Sequence, residues 1–240
     1  MTDLNTVTCH HEGASLQGQL ALPSSAGPHP AVMVMHNAHG LGTQVRDSAR
    51  RLAQAGYVAL ATDMYGGGVF HENPAAAGDS LGPLWKNPQL LRARVVAWFD
   101  WLKARPEVAV QRIAAIGYCF GGQCVLELAR SGADVKAVVS FHGILTTALP
   151  AQPGAVRAQV AVYTGAEDPY APRKHVDDFQ DEMQAAGARW QIMSFGRCYH
   201  AFTDADIRTS LPGLAYDPIA DQVSWAGTLA LLQAVLHAAA

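Results

Sequence analysis

The stretch "RIAAIGYCFGGQCVLELARSG", residues 112–132, passes from an apolar run through small residues set around one cysteine into a segment with helical spacing. The run 113–117 reads as a strand buried on both faces, and the residues from Gly121 onward read as a helix. Between them, Gly117-Tyr118-Cys119-Phe120-Gly121 fits the G-x-nucleophile-x-G pattern in the strand-then-helix context that the pattern requires. A side chain at the apex of so sharp a turn is pushed out of the sheet. A Cβ two residues to either side would collide with the neighbouring strand or helix, so glycine is needed there. The sulfur of Cys119 then sits at a helix N-terminus, where unpaired N–H groups and the helix dipole favour a thiolate. The rival reading is a tight Gly-rich turn around a buried thiol. Cys124, inside the helix, is assigned to packing.

Outward from this unit the same alternation repeats. "AVMVM" (31–35), "VALAT" (58–62), "KAVVSF" (136–141), "QVAVYT" (159–164) and "RWQIMSF" (189–195) are further short apolar runs, expected as strands buried on both faces. "LQGQLAL" (16–22) alternates and is expected as an antiparallel edge strand. Leu91, Val95, Trp98 and Leu102 form one helical stripe, and Trp225, Leu229, Leu232 and Leu236 form another. Gly56, Gly132 and Gly187 follow helical patterns as left-handed C′ residues. The order predicts an α/β fold, a mostly parallel central sheet with helices on both faces and right-handed crossovers. With 240 residues, half of them hydrophobic, and no repeat or linker, one domain over 1–240 is expected.

Composition excludes several functions. Charged residues are 15% of the chain and the formal net charge is −3, which leaves no broad basic surface for nucleic acid. Uninterrupted apolar runs fall short of the ~20 residues of a membrane span, and the N-terminus lacks a secretion signal, so neither a membrane partner nor export is expected and the chain reads as cytoplasmic. Cys9, Cys119, Cys124 and Cys198 are irregularly spaced and read as free thiols.

In parallel sheets, functional groups collect beyond the carboxyl ends of the strands. Those ends carry "HNAHG", "DMYGGG", "GYCFGG", "FHG" and "GAEDPY". A nucleophile needs a base, and the base an orienting acid. Asp168 follows the strand "QVAVYT" and His200 follows "RWQIMSF"; nucleophile, acid, histidine is the chain order of α/β-hydrolases. Glu167 is the rival acid, and a helix N-cap is the bland reading of Asp168. His36, His39, His71 and His142 are the rival histidines at loop ends, and position after the last strand favours His200. His36 and His39 invite a metal reading, but no cysteine or carboxylate lies at a matching spacing, so no metal site is expected.

The set "GYCFGG", "GAEDPYAP" and "HAF", with "DMYG" upstream, resembles the dienelactone hydrolase family of α/β-hydrolases, with matching element order over nearly the whole chain. The resemblance implies an esterase or lactonase with the triad Cys119, Asp168 and His200, a small-molecule ester or lactone as substrate, and neither metal nor organic cofactor. It also implies an oxyanion hole from the backbone N–H groups of Phe120 and Ala38. The chain departs from the family twice. Asn37 stands where the family carries a glutamate that partners the resting thiol, and Asp204 stands where an arginine holds a substrate carboxylate. A neutral ester or lactone is therefore expected rather than a dicarboxylate-like one. Arg46, Arg173, Arg197 and Arg208 are the candidate replacements.

The segment 66–89 reads as a long loop, a candidate lid or pocket loop. Candidate pocket walls are Asn37, Phe70, Trp85, Tyr118 and Phe202, with core packing as the rival reading of Tyr118. Two other functions compete: a thiol redox sensor or peroxidase-like protein using Cys119 with Cys198 as resolving thiol, and an inactive binding module on the same fold.

Overall fold

The computed structural model describes residues 2–207 and 212–237. Eight strands form one sheet: β1 (Asn5–His11), β2 (Ala14–Ala21), β3 (His29–Met35), β4 (Val58–Ala61), β5 (Val108–Tyr118), β6 (Ala137–Phe141), β7 (Gln159–Gly165) and β8 (Arg189–Phe195). Six helices intervene: α1 (Thr43–Gln54), α2 (Pro74–Trp85), α3 (Pro88–Lys103), α4 (Phe120–Arg130), α5 (Arg173–Ala185) and α6 (Pro218–Leu236). The strand order is β1-β2-β4-β3-β5-β6-β7-β8, parallel from β4 to β8 with β1 and β2 added antiparallel. This is the α/β-hydrolase architecture that the alternation predicts.

Strands β3, β4, β6 and β7, and β5 from Ile113 onward, bury both faces because each is sandwiched between helices. Met33 and Met35 face one core with Trp98, Phe120 and Phe179, while Val32 and Val34 face the other with Leu52 and Trp225. Chain order reverses between β3, which is followed by β4 on one side, and β5 on the other, so a crevice opens beyond the ends of β3 and β5. Pairing of Met35 with Gly117 sets the loop after β3 beside Cys119.

Four expectations are corrected. "LQGQLAL" is antiparallel but not the edge, because the polar strand β1 pairs along its outer side. "RWQIMSF" is the opposite edge, β8, with exposed and half-buried residues in place of two buried faces. Segment 66–89 is no long loop: Asn73 caps α2 by accepting from Ala75 N–H, Pro74 opens the helix, and α2 runs to Trp85. Finally, α6 is long and apolar enough to span a membrane by length and composition, which a count of uninterrupted runs misses because Asp221 interrupts it. In the structure α6 lies against the sheet, burying Ser224, Trp225, Thr228, Leu232 and Leu236.

Candidate active site

The turn after β5 is built by the absence of side chains. A Cβ at Gly117 would overlap the Gly121 carbonyl, and one at Gly121 would overlap the Met35 carbonyl of β3. Strand, turn and helix therefore close to backbone contact, and the strain falls on Cys119, at φ 56° and ψ −114°. Its N–H donates to the Phe141 carbonyl at 3.0 Å, and the residue is half-buried at the N-cap of α4.

Asp168 and His200 come from the ends of β7 and β8. Gly165 lets these loops meet, since a Cβ there would overlap the Cys198 carbonyl; Glu167 N–H donates to that carbonyl at 3.0 Å. Asp168 is buried and divides its carboxylate. One oxygen accepts from Tyr170 and Ala171 N–H at 2.8 and 3.3 Å, and the other accepts from His200 Nδ1 at 2.8 Å. Asp168 is not the N-cap of α5, whose cap position is Pro172 with no side-chain bond; one oxygen instead holds the turn before that helix while the other meets His200. Glu167 is exposed. With Nδ1 engaged by Asp168, the free edge of His200 is Nε2.

Burial alone would push the Cys119 thiol up, but the charge and hydrogen bond of His200, with the backbone N–H groups of Phe120 and Ala38, outweigh it and hold the thiol below its ordinary range. Burial would likewise lower His200, yet the Cys119 charge and the Asp168 hydrogen bond push it up to about 10. The pair titrates jointly toward thiolate and imidazolium.

A second histidine flanks the first. His142 is buried, with its ring 5.1 Å from that of His200 and at 66° to it. Burial, and then the His200 charge, push His142 well below the ordinary imidazole range, so it remains neutral. Its Nε2 lies 2.8 Å from the Thr203 hydroxyl. Gln44 Nε2 donates to the same hydroxyl at 3.0 Å, and Asn37 Nδ2 donates to Gln44 Oε1 at 3.3 Å. Asn37 Oδ1 accepts from His39 N–H at 2.9 Å, so this side chain is divided between its own loop and α1. His36 and His39 use their Nδ1 atoms on the carbonyls of Asn37 and His71, at 2.6 and 2.7 Å.

Cys119 and His200 open into a cavity of about 420 Å³, whose walls include Asn37, Ala38, Phe120, Leu81, Trp85, His142, Ile144 and Tyr170. Of the expected pocket walls, Asn37 and Trp85 are there. Phe70 lines a neighbouring cavity of about 650 Å³ instead. Tyr118 and Phe202 are corrections. Tyr118, 3% exposed, points into the core and shares a hydrogen bond with Ser48 at 2.9 Å. Phe202 is wholly buried, edge-on to His142 at 5.0 Å. Alternation explains Tyr118: a neighbour of the elbow apex on a strand faces the opposite way. Sequence reasoning missed Tyr170, whose ring lies 4.7 Å from that of His200, and the helical form of the 66–89 wall. Tyr170 was legible as the aromatic two residues after Asp168. Arg46, Arg173 and Arg197 line neither cavity, and Arg208 lies outside the described residues.

Sheet order, strained elbow and the Asp168–His200 pair define an α/β-hydrolase. The sequence model of the dienelactone hydrolase family matches residues 16–236, and the chain belongs to that family. Among curated relatives, the "Probable 2-oxo-3-(5-oxofuran-2-ylidene)propanoate lactonase" of Bradyrhizobium sp. is 29% identical over 230 residues, covering 92% of this chain and 90% of its own. Among solved structures, a dienelactone hydrolase-like promiscuous phosphotriesterase from metagenomic libraries is 33% identical with a TM-score of 0.92, covering 98% of each chain. The dienelactone hydrolase of Anabaena variabilis, 22% identical with a TM-score of 0.66 over 93% of this chain and 96% of its own, shares the fold. The protein is a hydrolase acting on esters or lactones.

Proposed function

We propose that the chain is a cysteine-nucleophile hydrolase that opens a small neutral ester or lactone through a thioester acyl-enzyme. The observation that carries this reading is the His200 imidazole held by Asp168 at 2.8 Å beside a strained, half-buried Cys119, whose thiol the His200 charge draws below its ordinary range against burial. In the first step the Cys119 thiolate adds to the carbonyl carbon, forming a C–S bond, while the carbonyl electron pair moves onto oxygen. That oxyanion is held by the N–H groups of Phe120 and Ala38. Collapse breaks the C–O bond, and His200 Nε2–H protonates the departing alcohol. His200, now neutral, takes a proton from water as the water attacks the thioester, and the second collapse returns the thiolate.

The substrate class follows from the walls. They are mostly apolar, and among the described residues they hold no lysine or arginine to bind a carboxylate. The name of the Bradyrhizobium relative agrees with a lactone, there one that carries a carboxylate, and the lack of a cation in these walls is what sets a neutral substrate apart from it. Such a reaction takes a small molecule as its substrate. The redox reading is weaker because Cys198 is buried in the core with Phe202 and burial, followed by Asp217 and Asp168, pushes its thiol up to about 11. A thiol so placed is a poor resolving partner.

Turnover of p-nitrophenyl acetate and a panel of small lactones by wild type, Cys119→Ala and His200→Ala tests the reading. Loss of turnover in both variants is expected. Equal turnover by wild type and Cys119→Ala would overturn the nucleophile, and peroxide consumption without ester turnover would favour the redox protein.

A further inference from the structure

The motif "DMYG" at the end of β4 takes no part in the reaction above, yet it is held with unusual firmness. Asp63 is wholly buried, and its two oxygens accept four backbone N–H bonds: from Tyr65 and Gly66 at 2.8 and 2.9 Å, and from Gln17 and Gly68 at 2.9 and 2.8 Å. Trp98 Nε1 donates to the Asp63 carbonyl at 2.7 Å. A carboxylate that binds four amides fixes the backbone on which the next side chain stands.

That side chain is Tyr65. Its hydroxyl donates to the Ala38 carbonyl at 2.8 Å. Its ring stacks on Phe120, with centroids 6.0 Å apart and planes within 17°. Ala38 and Phe120 are the two residues whose backbone N–H groups help to hold the Cys119 thiol below its ordinary range. They lie 82 positions apart in the chain, on the loops after β3 and β5, and the Tyr65 side chain touches both. The far side of the Ala38 loop has its own anchors. Met64 N–H donates to His36 Nε2 at 3.1 Å, which leaves Nδ1 to donate to the Asn37 carbonyl at 2.6 Å. The His36 ring also nears Phe120, with centroids 6.0 Å apart, but at 43° it does not stack on it as Tyr65 does.

We infer that Tyr65 is a positioning residue of the oxyanion hole: its hydroxyl sets Ala38, its ring sets Phe120, and so it fixes the spacing of the two N–H donors. The inference rests on the acyl-transfer reading. Donors in such a hole act at 2.7–3.1 Å from the developing charge, and an error of about 1 Å can lower the rate about 100-fold. The Tyr65 phenol, half-buried against the Ala38 carbonyl, keeps its proton and donates the hydrogen bond at every working pH, because burial above all pushes its ionisation far above the ordinary range.

The experiment compares Tyr65→Phe and Tyr65→Leu with wild type in two reactions of the same sulfur. Ester turnover develops an oxyanion, whereas alkylation by iodoacetamide is displacement at a saturated carbon and develops none. Tyr65→Phe, which keeps the stack and frees the Ala38 carbonyl, should lower kcat roughly 10- to 100-fold with KM within about twofold. Alkylation of Cys119 at its pH optimum should stay within about threefold of wild type. Tyr65→Leu, which also removes the stack, should lose more kcat. Affinity for a trifluoromethyl ketone, whose adduct carries the oxyanion, should fall in parallel with kcat and serves as the readout where one variant folds poorly. Wild-type kcat in Tyr65→Phe, or alkylation falling as far as turnover, would overturn the inference and leave the acyl-transfer reading standing. Undiminished turnover in Cys119→Ala would instead overturn that reading itself.

Discussion

Cys119 and His200 shift each other in opposite directions, which gives the pair a signature in pH. The thiol lies below its ordinary range because the His200 charge and hydrogen bond outweigh burial, and His200 is pushed up to about 10 by the Cys119 charge and Asp168. Thiolate therefore forms on an acid limb below the ordinary thiol value of about 8.5. The imidazolium needed to protonate the leaving group is lost as pH rises through about 10. A profile of kcat/KM against pH on a neutral ester should show a plateau between those limbs. In His200→Gln only the Phe120 and Ala38 N–H groups remain to oppose burial, so the onset of iodoacetamide alkylation should move upward. An unchanged onset would contradict the pairing. Asp168→Asn can keep the turn bonds from Tyr170 and Ala171 while losing the charge behind His200. Its kcat should fall on the order of 10²- to 10⁴-fold with the unfolding midpoint little changed.

Elements were legible where the pattern was local. Strands β3, β4, β6 and β7, and β5 from Ile113 onward, are continuous apolar runs because they are covered on both faces, and the glycine spacing marked the turn at Cys119. β1 escaped because only Cys9 of its seven residues is buried, leaving no alternation to read. α2 escaped because Gly78, Gly82 and Pro83 suppress helical propensity, and what makes it a helix is its Asn73–Pro74 start and its packing beside the cavity. These readings make opposite predictions for two glycines. Gly121→Ala places a methyl on the Met35 carbonyl, which is backbone and cannot yield, and should lose at least about 2 kcal/mol in urea unfolding. Gly82→Ala meets nothing within 4 Å and should gain about 0.5–1 kcal/mol by stiffening the unfolded chain.

Across the whole molecule, α3, α4 and α5 are tied by a buried ionic cluster that sequence spacing does not reveal, because its members lie far apart in the chain. Arg130, at 1% side-chain exposure, bonds Glu182 through Nε and Nη2 at 2.9 and 2.7 Å and Glu127 at 3.1 Å, while Arg92 bonds the other Glu127 oxygen at 2.6 Å. Removing one member strands the others, so Arg130→Ala should destabilise by about 3–5 kcal/mol with the urea m-value unchanged. The site shows the same division between local and global information. Cys119, Asp168 and His200 could be picked because each ends a recognisable strand. Tyr65, Gln44 and Thr203 acquire their meaning only when the sheet order brings β4, α1 and the β8 loop together. The central claim is that acyl groups pass through the Cys119 sulfur. Acid-quenching the enzyme during p-nitrophenyl acetate turnover and mapping peptides by mass spectrometry tests it most directly. One acetyl group on the peptide containing Cys119, lost on further incubation and absent in Cys119→Ala, is the predicted result; steady turnover with that peptide unmodified at every quench time would contradict it.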